Sequence, residues 1–257
     1  MQGIFDTHCH LMSEEYKDEE TALILEDAKF SGVQWFNNVG YDMESSKKAI
    51  QAANEFDFVY ATIGIHPTDV ARYGTEDLKD LDKLLNNSKV IAVGEIGLDY
   101  YHKHVSHDLQ KEWFIKQLHL AKKHDLPVAI HCRDAYEECL HILKTEKIKK
   151  GLMHCYSGDA EMAKKFLDLG FYISFSGTVT FKNASQLREV AKMVPLDKIL
   201  VETDAPYLTP DPYRGQKNYP KYIAYTVAQI AKIKDIPVSE MIRITTKNAF
   251  KVFNIKE

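Results

Sequence analysis

The chain has 257 residues, 45% of them hydrophobic and 27% charged, with a formal net charge of −4. This is an ordinary globular composition, long enough for a sizeable core, and its charge argues against a bulk electrostatic grip on nucleic acid, which needs a basic surface. No apolar run approaches the ~18 residues of a membrane span, and Met1-Gln2-Gly3 runs straight into the first strand without the basic and apolar regions of a signal peptide, so a cytoplasmic protein without membrane association is expected.

Short apolar runs alternate with longer amphipathic ones along the whole chain. Strands are expected at Ile4–His10, Val33–Val39, Phe58–Ile65, Val90–Glu95, Pro127–His131, Gly151–His154, Phe171–Ser176 and Ile199–Thr203. Helices are expected between them, at about Glu19–Phe30, Ser45–Phe56, Glu76–Leu85, Ser106–His124, Tyr136–Lys144, Glu161–Leu169 and Ala184–Met193. The Ser106–His124 helix carries Leu109, Trp113, Phe114, Leu118, Leu120 and Ala121 on a broad apolar face. A final pair covers Tyr222–Lys232 and Ser239–Phe253; in the last, Met241, Ile242, Thr245, Ala249, Val252 and Phe253 share one face.

Eight strands alternating with helices imply parallel pairing with helical crossovers. Eight such units in about 250 residues is the size of a (β/α)8 TIM barrel, here with an additional C-terminal helix. An open doubly wound sheet is disfavoured, because no Gly-rich phosphate loop follows the first strand. No linker, low-complexity segment or repeat divides the chain, so residues 1–257 are expected to form one domain. The longest irregular stretch is Ala205–Pro220, and a loop of that length is more often functional than idle.

Phe5-Asp6-Thr7-His8-Cys9-His10 is the most informative stretch. On a regular strand Asp6, His8 and His10 point the same way. A lone His-x-His is weak, since a single histidine near a strand end is more often hydrogen-bonded than a ligand. The other strand ends add Glu95, His131, His154 and Asp204. In a closed barrel these ends meet at one mouth. Four imidazoles and two carboxylates there suit a pair of divalent ions about 3.5–4 Å apart sharing one carboxylate. Clustered polar groups in a dry pocket are otherwise costly. Cys9, Cys132 and Cys155 each directly follow one of these histidines, so by strand alternation they should be buried thiols facing the helical shell. Thiolate ligation is the competing reading.

Asp6-Thr7-His8-Cys9-His10, Gly94-Glu95-Ile96-Gly97-Leu98-Asp99-Tyr100, His131-Cys132-Arg133, Met153-His154-Cys155-Tyr156-Ser157-Gly158 and Glu202-Thr203-Asp204-Ala205-Pro206-Tyr207-Leu208 closely resemble, in the same order, the TatD family of metal-dependent deoxyribonucleases, barrels of the amidohydrolase superfamily. Arg214-Gly215 followed by Asn218 and Pro220 resembles the next segment of the family. Two departures, Tyr156 in place of a common Phe and Tyr219 in place of a frequent acidic residue, touch no expected ligand.

The resemblance implies two divalent ions and hydrolysis of nucleic-acid phosphodiesters. His8, His10, Glu95 and Asp204 would hold one ion, and Glu95, His131 and His154 the other, with Glu95 and Asp204 as catalytic residues. Mg or Mn is the expected metal in the cell, and Zn or Ni would also fit the donors. The substrate is expected to be DNA, as single strands or ends, cleaved in 3'–5' exonuclease fashion by a monomer needing no protein partner. A small-molecule amidohydrolase or phosphatase is the alternative. Glutamate rather than carboxylated lysine at the shared position favours the phosphodiesterase.

Substrate contacts are expected from His66, Arg133 and Arg214, with a backbone hydrogen bond (His66) or surface ion pairs (both arginines) as the competing readings. Asp99 and Tyr101 are placed beyond Glu95 in the pocket. Tyr207 is read as loop packing in preference to base stacking. His102, His104 and His107 are read as a solvated loop and helix start.

Overall fold

Eight parallel strands hydrogen-bond side by side in chain order in the computed structural model, which describes residues 3–256. Met1 and Gln2, expected to lead into the first strand, lie outside the described residues, as does Glu257. The strands are β1 (Ile4–Cys9), β2 (Val33–Val39), β3 (Val59–Ile63), β4 (Val90–Asp99), β5 (Val128–Arg133), β6 (Gly151–Met153), β7 (Tyr172–Phe175) and β8 (Ile199–Val201). Between them run α1 (Thr21–Phe30), α2 (Met43–Glu55), α3 (Thr75–Leu84), α4 (His107–Lys123), α5 (Tyr136–Thr145), α6 (Ala160–Asp168) and α7 (Ser185–Met193), and α8 (Ile223–Lys234) and α9 (Val238–Val252) follow β8. This is the expected TIM barrel with a further C-terminal helix. None of the helices among the described residues is long and apolar enough to cross a membrane.

Short strands bury two faces here, and the core divides accordingly. The outer layer packs strands against helices. The inner layer draws on every strand: Phe5, Trp35, Tyr60, Ile91 with Ala92, Ala129, Leu152, Tyr172 and Leu200. Phe250 and Phe253 of α9 complete it, with ring centroids 5.6 and 5.9 Å from Phe5. Asn248 Nδ2 donates to Leu196 O and Ile199 O at 2.8 and 2.9 Å, which places α9 under the strand starts. The last helix therefore plugs the barrel floor and also packs on α8. This double contact buries Thr246, Asn248 and Phe250 beyond the expected face, while Ile242 stays partly exposed.

The barrel closes at the opposite end. Asp204 N–H donates to His8 O at 2.8 Å, and His10 N–H donates to Ala205 O at 2.7 Å. Two glutamines of α4, seven residues apart and fully buried, fix neighbouring strand ends. Gln117 exchanges both amide hydrogen bonds with the backbone of Ile65, at 2.8 and 3.0 Å, and Gln110 does the same with Asp99, at 2.8 and 2.9 Å. A buried amide so paired has satisfied its polar demand and holds one backbone position. The residues so fixed adjoin His66 and carry Asp99.

Candidate metal centre

β1 does not deliver its histidines by simple alternation. Phe5 lies in the inner layer and Cys9 in the outer one, although regular alternation would put them on one face. The pairing of β1 with β2 shifts register between Asp6 and Cys9, an irregularity that re-aims side chains. His8 and His10 reach the mouth together, with Nε2 atoms 3.3 Å apart. Asp6 does not join them, contrary to the sequence expectation. Its carboxylate accepts from Thr203 N–H at 2.9 Å and Thr203 Oγ1 at 2.6 Å, and ties β1 to the end of β8.

Glu95 sits between two groups of donors. Its Oε2 lies 3.5 Å from His8 Nε2 and 3.8 Å from His10 Nε2, beside Asp204 Oδ1, which is 3.3 Å from His10 Nε2. Its Oε1 lies 2.8 Å from His131 Nδ1, 3.5 Å from His66 Nε2 and 3.6 Å from His154 Nε2. Gly97 makes this approach possible. It has φ +145°, and a Cβ there would lie 1.9 Å from the carbonyl oxygen of His131. Any side chain would push β4 away from β5 and part Glu95 from His131.

β6 and β8 end early, so His154 and Asp204 stand just beyond them rather than within a longer strand. Asp204 takes a left-handed conformation, φ 57°. Four of the five histidines also have a contact on the far side. His10 Nδ1 is 2.7 Å from Val39 O, His131 Nε2 is 3.0 Å from Asp99 Oδ2, and His66 Nδ1 is 2.6 Å from Thr68 Oγ1. His154 Nδ1 lies 2.8 Å from Glu202 Oε1, a charge contact rather than an aligned hydrogen bond. His8 Nδ1 is buried without a partner, and the His8 ring stacks on His154 at 3.5 Å between centroids.

A cavity of about 1020 Å³ opens over these groups. Cys9 and Cys132 are buried thiols as expected, although Cys132 also reaches the cavity wall. Cys155 differs from the expectation. It follows the end of β6 at φ 41°, lines the cavity, and its Sγ is 3.1 Å from Ser176 Oγ. Alternation cannot be carried past a strand that has already stopped. Burial, then the charges of Asp204 and Glu202, push its thiol well up in the metal-free protein, while its Sγ groups with ligand atoms of His154 and Asp204, where the competing thiolate reading stays open.

His66 and Arg133 line the cavity; Arg214 does not. The ion pairs of the competing reading are absent from both arginines among the described residues. The Arg133 guanidinium lies 3.7 Å over the ring of Tyr101, and that of Arg214 lies 4.0 Å over Phe181, itself a wall residue. His66 makes the backbone hydrogen bond of the competing reading, its Nδ1 accepting from Thr68 N–H at 3.2 Å, and its Nε2 also lies 3.5 Å from Glu95 Oε1. Tyr207 is 47% exposed on the cavity rather than packed in the loop. The loop beneath it is pinned by Asn218 Nδ2, which donates to Thr203 O and Tyr207 O at 2.9 and 2.6 Å. His102, His104 and His107 are exposed, as the reading of a solvated loop and helix start expects; the first two also border the cavity, and His107 begins α4 with its ring stacked on Tyr100.

The electrostatics describe a site short of positive charge. Burial works to raise the Glu95 carboxyl, but His154, His66 and His131 outweigh it and hold it well below the usual range. Asp204 is likewise lowered, burial being outweighed by His154 and His10. The carboxylates return the effect. Burial opposes protonation of His131 and His154, yet Asp99 and Glu95 raise the first to about 9, and Glu202, Glu95 and Asp204 raise the second to about 10. Burial and the charge of His131 push His66 down to about 3, leaving it a neutral imidazole. His8 is lowered by burial and by His154. Facing lone pairs on His8, His10, Glu95 and Asp204, with an orphaned Nδ1 behind, are a donor set that fits a divalent cation. The His8, His10, Glu95 group and the His66, Glu95, His131 group each have ligand atoms within 4.8 Å of one another.

Comparison with known proteins matches this arrangement to one family. The model described as TatD related DNase covers residues 5–254. The chain belongs to the TatD family. An uncharacterized metal-dependent hydrolase, YabD, of Bacillus subtilis is 44% identical over 254 residues, spanning 98% of this chain and 99% of the relative. Another, YcfH of Escherichia coli, is 38% identical over 256 residues, spanning 98% and 96%. The crystal structure of YJJV, a TatD homolog from Escherichia coli, superposes with a TM-score of 0.93 at 31% identity, covering 98% of both chains. The chain is thus a metal-dependent hydrolase of the TatD type, with His, Glu and Asp clusters able to bind metal.

In this TatD barrel the groups that sequence reasoning missed are those behind the mouth residues. Glu202 was hidden two positions before Asp204, where it reads as the end of a strand. It is fully buried, faces His154, and accepts from Ser174 Oγ at 2.6 Å and Cys155 N–H at 2.8 Å. A charged residue so deeply buried must be paired, and that was the available signal.

Proposed function

We propose that the protein is a deoxyribonuclease that hydrolyses phosphodiester bonds of DNA, acting on single strands or ends as a 3'–5' exonuclease with two divalent ions. The observation that carries this reading is Glu95, whose two oxygens address two separate donor groups across one carboxylate. His8, His10, Glu95 and Asp204 would hold one ion, and Glu95, His131 and His154 the other, with His66 a further neutral donor beside Glu95 Oε1. Bound there, such ions supply Lewis-acid charge to a water and to phosphoryl oxygens.

The residues of the chain do the rest. Asp204, which borders the cavity, orients the attacking water and takes its proton. Asp99 and Val39 O hold His131 and His10 from behind, so that their inward nitrogens keep free lone pairs. The cavity wall offers Tyr207 as a stacking face and Arg133 as a phosphate contact, and the acidic overall charge calls for few, local contacts rather than a basic groove. Mg or Mn would serve in the cell, and Zn or Ni would also occupy such donors.

The test is release of nucleotides from end-labelled single- and double-stranded DNA with Mg²⁺ or Mn²⁺, with Asp204→Ala and Glu95→Ala as controls. Metal-dependent release that both substitutions abolish supports the proposal. Hydrolysis of phosphomonoesters or lactams with none of any nucleic acid overturns it.

A further inference from the structure

The histidine tract after β4 has no part in the chemistry described so far, yet two of its members line the cavity. His102 is fixed with unusual care for a loop residue. Its backbone N–H donates to Asp99 Oδ1 at 2.8 Å, and its ring Nδ1 lies 3.0 Å from Asp99 Oδ2. That same Oδ2 lies 3.0 Å from His131 Nε2, so one carboxylate oxygen receives an inner and an outer imidazole. Asp99 is 1% exposed, and its own backbone is locked by Gln110. The ring of His102 is 45% exposed. Its Nε2 makes no hydrogen bond to the protein among the described residues and is the nitrogen open to a ligand, where it donates to an anion when the ring carries both protons.

The surroundings say what kind of ligand. Tyr101 stands beside His102, ring centroids 5.1 Å apart, and carries Arg133 over its face. Asp99 and Arg133 are register partners at the ends of β4 and β5, so the imidazole and the guanidinium flank one another on the same wall. Arg133 makes no salt bridge within the protein among the described residues. A fork of donors and an oriented imidazole, both on the solvent side of His131, suit an oxyanion rather than a base edge.

We propose that His102, oriented by Asp99, and Arg133 form a subsite for a second phosphate of the substrate, one bond-unit along the strand from the phosphodiester being cleaved. This rests on the phosphodiesterase reading above and sharpens it. The substrate class is then an oligonucleotide or a phosphorylated end, recognised by two successive phosphates, and an isolated diester lacks half of the contact. It also answers how an acidic protein holds DNA: by a placed guanidinium and an oriented imidazole instead of a basic surface.

The test uses dithymidine monophosphate with and without an added terminal phosphate, at the 5' or the 3' end. The parent protein should cleave at least one phosphorylated form with a KM about tenfold lower than the plain dinucleotide, the scale of one charge-assisted hydrogen bond. His102→Gln should erase that preference by raising KM for the phosphorylated form more than for the plain dinucleotide. Arg133→Gln should weaken it independently. Calorimetry gives a second readout: His102→Gln should lose about tenfold in affinity for thymidine 3',5'-bisphosphate while keeping parental affinity for Mn²⁺, which also shows the variant to be folded. No preference in the parent protein, a preference retained in His102→Gln, or bisphosphate affinity within twofold of the parent overturns the subsite. Failure to cleave any dinucleotide, or any longer DNA, falls instead on the phosphodiesterase reading.

Discussion

Glu202→Gln removes one negative charge from a fully buried position at constant side-chain volume. The amide keeps an acceptor for Cys155 N–H and can donate to Ser174 Oγ, so the hydrogen bonds at 2.8 and 2.6 Å have replacements and the barrel should fold. What is lost is the charge 2.8 Å from His154 Nδ1. Groups behind a ligand histidine raise its basicity, and losing one typically costs ~10–100-fold in metal affinity, or ~1.4–2.7 kcal/mol at ~1.36 kcal/mol per tenfold. There is an opposing effect. Glu202 is also the largest of the charges that raise His154, so the variant ring gives up its proton more easily. A divalent ion feels the lost charge twice as strongly as a proton does, so weaker binding should win. The assay is calorimetric titration of the metal-free protein with Mn²⁺ at pH 8, with urea unfolding of the same sample as a check of the fold. Affinity within a factor of two of the parent, with unchanged kcat, would refute the assignment of Glu202 to the metal site.

Metal affinity should rise with pH. In the metal-free protein His131 and His154 titrate near 9 and 10, so at neutral pH both carry protons that a metal must displace. Each displaced proton adds up to about a tenfold gain per pH unit, ending above those values; titration calorimetry showing constant affinity from pH 6 to 8.5 would contradict histidine ligation. Phe250→Ala should cost ~3–5 kcal/mol in urea unfolding, because it opens the barrel floor between Phe5 and Trp35. The same variant should retain parental Mn²⁺ affinity, since the floor lies at the far end from the mouth; a loss under ~1 kcal/mol would mean α9 is no plug.

Much of this protein can be read without its coordinates. The alternation of apolar strands with amphipathic helices follows from chain chemistry, and parallel pairing with right-handed crossovers leaves few ways to arrange eight such units. His8, His10, Glu95, His131, His154 and Asp204 were found because strand C-terminal ends converge in a barrel, so sequence position alone implies proximity there. Sequence reasoning failed where regular periodicity does. Asp6 was misplaced because a bulge inside β1 breaks the period of two. Cys155 was misplaced because β6 stops at Met153. Gln110 and Gln117 fall among the apolar positions of an amphipathic helix, and only the backbone ends of β3 and β4 show why two amides are buried there.

Local sequence therefore determined the barrel, the His, Glu and Asp residues gathered at its mouth and the family, since these depend on residue type and on spacing along the chain. Tertiary structure decided the partners of each group: Glu202 behind His154, Asp99 between His131 and His102, and two guanidinium groups resting on aromatic rings. Those contacts join residues far apart in the chain or turn on the path of a loop, and no period of 2 or 3.6 carries that information.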